Sequence, residues 1–120
     1  MFHIRYYKDK NGNQPVKDFL NELSSKNDKN SRINKNSIDH HLAILERLGT
    51  RAPSKYVKYI GDGIWEIRPL SNRIMFIVWH EGDLILLHHF IKKSQKTPLT
   101  EIEVAKKRHD EILKGDADYE

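Results

Sequence analysis

"GIWEIRPLSNRIMFIVWHEGDLILLHHFI", residues 63–91, holds three apolar-rich runs, IWEIR, RIMFIVW and LILLHHFI, separated only by PLSN and HEGD. Links this short fold the chain straight back on itself, so the runs are predicted to be consecutive antiparallel strands. Strand side chains alternate between faces, so the register at each turn decides which residues meet. With PLSN as a four-residue loop, Arg68 pairs with Arg73, Glu66 with Met75 and Ile64 with Ile77. With Glu81-Gly82-Asp83 as the next turn, His80 pairs with Leu84, Met75 with His89 and Arg73 with Ile91, and Lys93 continues that face. One face then carries Glu66, Arg68, Arg73, His89 and Lys93. The other carries Trp65, Ile67, Ile74, Phe76, Val78, Leu86, His88 and Phe90, and is expected under the helices. A two-residue second turn instead brings His88 and Lys92 to the arginines.

Working outward, FHIRYYK (2–8) alternates and is rich in aromatic and β-branched residues, which predicts a first strand. After the NGNQ turn, Pro15 suits a first helical position, and Val16, Phe19, Leu20 and Leu23 share one helical stripe. The polar segment SSKNDKNSR interrupts the pattern. Ile33, Ile38, His41, Leu45 and Leu48 then mark a second helix, ended by Gly49, so the two form a hairpin. KYVKYI is a short strand, and GDG a turn. Toward the C-terminus, Thr97 is expected as an N-cap with Pro98 at the first helical position, or Thr100 and Glu103 as a capping box. Leu99, Ile102, Ala105, His109, Ile112 and Leu113 form the stripe of that last helix. Residues 115–120 are expected to be a frayed tail.

The predicted order is β-α-α-β-β-β-α. This is an α+β fold: an antiparallel sheet of about four strands, an N-terminal helical hairpin packed on it, and a C-terminal helix. One domain over 1–120 is expected. No apolar run is long enough for a membrane helix, and the opening MFHIRYYKDKNG lacks an apolar signal core. Cysteine is absent, which excludes disulfides and thiolate metal sites and suits a cytoplasmic protein. The formal net charge of +4 permits a polyanion partner without requiring one. Four of the seven histidines come as neighbours, 40/41 and 88/89, which a strand or helix splays apart, and no HExxH occurs; neither a metal nor a cofactor is expected.

Arg68 opposite Arg73 is an unfavourable pairing of like charges. Two arrangements offset it: an anion seated between the guanidinium groups, or the nearby carboxylate of Glu66. Spacing alone leaves both open.

The segments GIWEIRPLSNRIMFIVW (63–79) and ILLHHFIKKSQKTPLTEIEVAKKRHDEI (85–112) resemble the RelE/ParE toxin superfamily, most closely its phage-derived HigB-like branch. The resemblance spans roughly residues 2 to 114 and implies a RelE-like fold. It also implies the toxin of a type II toxin–antitoxin system, a ribosome-dependent mRNA endonuclease in which the ribose 2′-oxygen attacks the adjacent phosphate without a metal. The implied partners are the ribosome with its mRNA and a HigA-like helix-turn-helix antitoxin, through which alone operator DNA is bound. The resemblance assigns Arg73 to the scissile phosphate, Lys93 to the phosphate or the leaving oxygen, and Arg68 to support of the same anion. Glu66 is either the base or the group orienting Arg68. Lys58, Lys92 and Lys96 are candidates for RNA backbone contacts, and one of His88 and His89 for an acid or base, the other being core. Some relatives carry lysines at the positions of Ile64 and Glu66, so the base is unassigned. Other readings on this fold are a ParE-like inhibitor of DNA gyrase and an inactive domain that only binds an antitoxin.

Overall fold

The PLSN turn returns the chain as its pattern predicts. In the computed structural model, which describes residues 1–120, β3 (Ile64–Ile67) pairs antiparallel with β4 (Asn72–Val78) in the expected register, Ile64 with Ile77 and Glu66 with Met75. Ahead of them, β1 spans His3–Lys8, α1 Pro15–Ser25, α2 Lys29–Leu48 and β2 Val57–Gly61. β5 (Asp83–Ile91), α3 (Leu99–Leu113) and β6 (Asp118–Tyr119) follow.

The second turn falls one residue earlier than predicted, as a short 3-10 turn over His80–Gly82 closed by the Trp79 amide donating to Asp83 O at 2.8 Å. Gly82, with φ +87°, takes a left-handed position there that suits glycine. Val78 consequently pairs with Leu84 and Phe76 with Leu86. A β-bulge then inserts Leu87, so Met75 pairs with His88, Ile74 with His89 and Arg73 with Phe90. The predicted pairs Met75–His89 and Arg73–Ile91 do not form. Leu84, Ile85, Leu86 and Leu87 are all fully buried, so this stretch has no polar alternation from which a bulge could be read. The bulge is stabilised from α3, where Arg108 Nη1 donates to Leu87 O at 2.8 Å.

The sheet has six strands in the order β2-β3-β4-β5-β1-β6, against the four expected. It is mostly antiparallel, but β1 lies parallel to β5, with Ile4 against Leu84 and Tyr6 against Leu86. The C-terminal residues do not fray. Asp118 and Tyr119 pair with Lys8 and Tyr7, the Glu120 and Tyr6 backbones exchange hydrogen bonds, and Trp79 Nε1 donates to Tyr119 Oη. They satisfy backbone groups that β1 would otherwise leave open at the sheet edge.

Two helix starts also differ from the pattern. α2 begins at Lys29, well before its apolar stripe, because the Asp28 side chain accepts from the Ser31 amide and hydroxyl. α3 begins at Leu99 after Pro98, with no side-chain cap. Thr97 is therefore not an N-cap, and its hydroxyl donates elsewhere, to Glu66 Oε2 at 3.2 Å.

The hairpin covers one sheet face, burying Val16, Ile38 and Leu45 against Ile67, Ile74, Phe76, Leu84 and Leu86. α3 covers the lower part of the other, burying Ala105 and Ile112 against Ile64, Met75, Ile77 and Leu87. Each such large side chain contributes about 1.5–3 kcal/mol. The arginine-bearing end of that second face lies beyond the start of α3. No helix is long and apolar enough to cross a membrane.

Candidate functional site

At that end, the tail of β3, the first residues of β4 and the continuation of β5 converge. The β3–β4 register, carried one step past Ile67 and Ile74, places Arg68 opposite Arg73. Glu66 is 1% exposed and Arg73 7%. Glu66 Oε1 lies 3.7 Å from Arg73 Nε and 3.9 Å from Arg68 Nε, while its Oε2 accepts from Thr97. Both Nε atoms are buried without a hydrogen-bond partner. The carboxylate thus offsets the two cations electrostatically without satisfying their donors.

Arg73 also builds the turn. Its Nη1 donates to Leu70 O and Asn72 O, each at 2.7 Å, leaving Nη2 as the edge open to a ligand. Burial and the Arg68 charge push its pKa below the ordinary guanidinium value, opposed by Glu66, yet a guanidinium stays protonated.

The bulge decides which lysine joins. With Phe90 opposite Arg73, the next residue on that face is Lys92, whose amide donates to Ser71 O at 2.8 Å. Partial desolvation and the like charges of Arg73, Arg68 and Lys58 push the Lys92 ammonium below the usual lysine value, and Glu66 opposes them. That is the electrostatic setting the sequence pattern places at Lys93. Lys93 is exposed on the rim of the same shallow cavity of about 440 Å³, with Leu70, Ser71, Arg73 and Lys92. Lys58 sits across the β2–β3 ladder from Glu66. Lys96 is exposed in the segment leading to α3 and does not line the cavity.

Neither histidine reaches this cavity. His88 shares the arginine face but lies under α3, with Nε2 2.9 Å from Glu101 Oε1 and Nδ1 3.4 Å from Arg108. Burial lowers its pKa, the Glu101 hydrogen bond opposes that, and Arg108 adds to it. His89 is on the hairpin face, contrary to the predicted grouping. It stacks on Phe19 with ring centroids 3.6 Å apart, and its Nε2 lies 2.9 Å from Asn72 Oδ1. Burial, with His88 nearby, lowers its pKa to about 4. The neutral ring donates Nε2–H to Asn72, whose Nδ2 donates to Asn34 Oδ1 on α2 at 2.8 Å.

The arrangement is a cationic receptor with one internal counter-ion. It can bind and polarise an anion, and the oxygens of Glu66 face Thr97 and the two arginines. No three His, Asp or Glu side chains converge as metal ligands. Thr97 and Lys92 are the site residues that the sequence pattern places in other roles. The KTP tripeptide signals a helix start and not a carboxylate partner, and Lys92 depends on a bulge without a local signal.

No curated relative matches the sequence. The family model described as "Phage derived protein Gp49-like (DUF891)" matches residues 18–110, from α1 to α3. The chain belongs to this Gp49-like family, which lies within the RelE/HigB-like toxin superfamily.

Proposed function

We propose that this chain is the toxin of a type II toxin–antitoxin pair of the HigB-like branch, acting in the cytoplasm as a ribosome-dependent mRNA endonuclease through one domain over 1–120. The observation that carries the reading is the convergence of Arg68, Arg73 and Lys92 around one buried carboxylate beside an open cavity. The family supports a toxin with an antitoxin partner. That partner is a HigA-like helix-turn-helix protein, and operator DNA is bound through it alone.

In the proposed reaction a ribose 2′-oxygen forms a bond to the adjacent phosphorus while the bond to the 5′-oxygen breaks. The products are a 2′,3′-cyclic phosphate and a 5′-hydroxyl. Arg73 Nη2 and Arg68 hold the phosphate oxygens, where a planar fork suits two acceptors. Each fixed cation contributes on the order of 10²–10³ in rate, by analogy with oxyanion donors. Lys92, its ammonium made more acidic by its neighbours, protonates the 5′-oxygen. Glu66 keeps the arginines in place. No imidazole or open carboxylate stands ready for the 2′-hydroxyl proton, so that proton passes to a water molecule while the ribosome orients the substrate. Lys58, Lys93 and Lys96 hold the flanking RNA backbone.

Inducible expression tests this reading. Growth arrest with shortened mRNAs is expected. Lys92→Ala should reduce cleavage about 10²–10³-fold, and Lys93→Ala less than about tenfold, without unfolding. Arrest with intact mRNA and double-strand DNA breaks overturns it in favour of gyrase inhibition. No arrest at all leaves an antitoxin-binding domain.

A further inference from the structure

A second cavity, of about 280 Å³, adjoins the cationic one. Leu70 and Ser71 line both, so the two cavities meet at the PLSN turn, the cationic one on the α3 side of the sheet with Arg73 and Lys92 and the second on the hairpin side with Asn72 and Ile91. The second is lined by Ile33 from α2, Leu70, and Ile91 from β5, three aliphatic side chains that are 47%, 55% and 58% exposed. Scattered exposed leucines are ordinary, but three meeting around one cavity beside a charged cluster are not.

Leu70 carries a second mark. Its φ is +59°, a left-handed conformation that costs a branched side chain roughly 1–2 kcal/mol and that asparagine tolerates far better. Arg73 Nη1 holds the Leu70 carbonyl and so fixes this geometry. Asp62 and Glu81 take the same conformation in other turns, but at Leu70 the turn holds an aliphatic side chain out toward solvent.

We infer that the two cavities together dock one segment of a protein partner carrying aliphatic side chains beside carboxylates, which passes over the PLSN turn with its aliphatic groups among Ile33, Leu70 and Ile91 and a carboxylate on Arg73 and Lys92. Charge complementarity sets the acidic part, since the cationic half holds Arg73, Lys92 and Lys93. The aliphatic half argues for a polypeptide over RNA, because no aromatic ring is present there to stack a base. The inference rests on the nuclease reading in one respect: the docked carboxylate takes the place of the scissile phosphate and shuts the site.

Isotope-labelled protein titrated by NMR with short synthetic peptides tests this. A peptide alternating leucine and glutamate should shift the amides of Ile33, Leu70, Ile91 and Lys92 and inhibit mRNA cleavage on programmed ribosomes. Leu70→Asn should weaken that peptide about tenfold, as loss of one buried aliphatic group does. It should also retain cleavage and fold at least as stably, because asparagine relieves the strain. A serine/glutamate peptide binding as tightly as leucine/glutamate overturns the inference, as does equal binding of a leucine/lysine peptide. So does an oligouridine that shifts the same aliphatic residues and loses affinity in Leu70→Asn, which assigns the cavities to RNA. Peptide docking in a protein that cuts no mRNA sinks the nuclease reading and keeps the docking site.

Discussion

The two faces of the sheet are covered by different means. The hairpin face is held by area: Phe76, Ile74, Leu84 and Leu86 are fully buried against α1 and α2, and the notable polar feature is the Asn34–Asn72–His89 chain. The α3 face is clipped by directed bonds. Tyr7 donates to Glu111 at 2.6 Å, Arg108 donates to Leu87 O, His88 bonds Glu101, and Thr97, just before the helix, donates to Glu66. One helix covers less of the sheet than a hairpin of two. The strand ends beyond it stay accessible, and there the cations gather.

Four experiments bear on this contrast. Phe76→Ala, on the area-packed face, should cost about 3–5 kcal/mol in urea unfolding. A much smaller loss means that face is not what holds the fold. Next comes Glu66→Gln, expected to cost about 2–3 kcal/mol, because it leaves two guanidinium groups facing one another without their counter-ion. Added phosphate should recover part of that loss, and more in the variant than in the wild type; equal responses would mean that no anion replaces the carboxylate.

The third concerns pH. His89 has a pKa of about 4 in the fold against 6.5 ordinarily, so the unfolded chain takes up this proton first as pH falls. Its contribution is complete above about pH 6.5 and drains away between 6.5 and 4, amounting to about 3 kcal/mol. His89→Gln should flatten the stability profile across that window, leaving the smaller slope that His88, His41 and His109, also depressed by burial, supply in the same direction. An unchanged profile would place the titration elsewhere. The smallest effect belongs to Thr97→Val, about 1 kcal/mol or less for one hydrogen bond. It should loosen the 92–98 segment, read as faster amide exchange there and not on the hairpin.

Local chemistry made most of the fold legible. The succession of strand, helical hairpin, strand run and last helix, the PLSN turn, the Glu66–Met75 register and the facing arginines follow from alternation over short links, although the run holds four strands where the predicted order has three and a sixth strand follows α3. The bulge at Leu87 was not readable, because both faces of β5 are buried there and a run of leucines and isoleucines fits either register. That one inserted residue moved His89 to the hairpin and brought Lys92 in place of Lys93 on the arginine face. β1 beside β5 and the paired C-terminal strand were likewise invisible, since their partners are distant in sequence.

By itself, then, the sequence determined which elements form, which neighbours pair across tight turns, and that two arginines and a glutamate would share an end of the sheet. Periodicity and turn length act over a few residues and need no knowledge of the rest. Only the tertiary structure decided how that glutamate is buried, which lysine stands beside it, and that Leu70 is held strained and outward between two cavities. Those outcomes depend on burial and on contacts between distant segments, and neither leaves a local pattern.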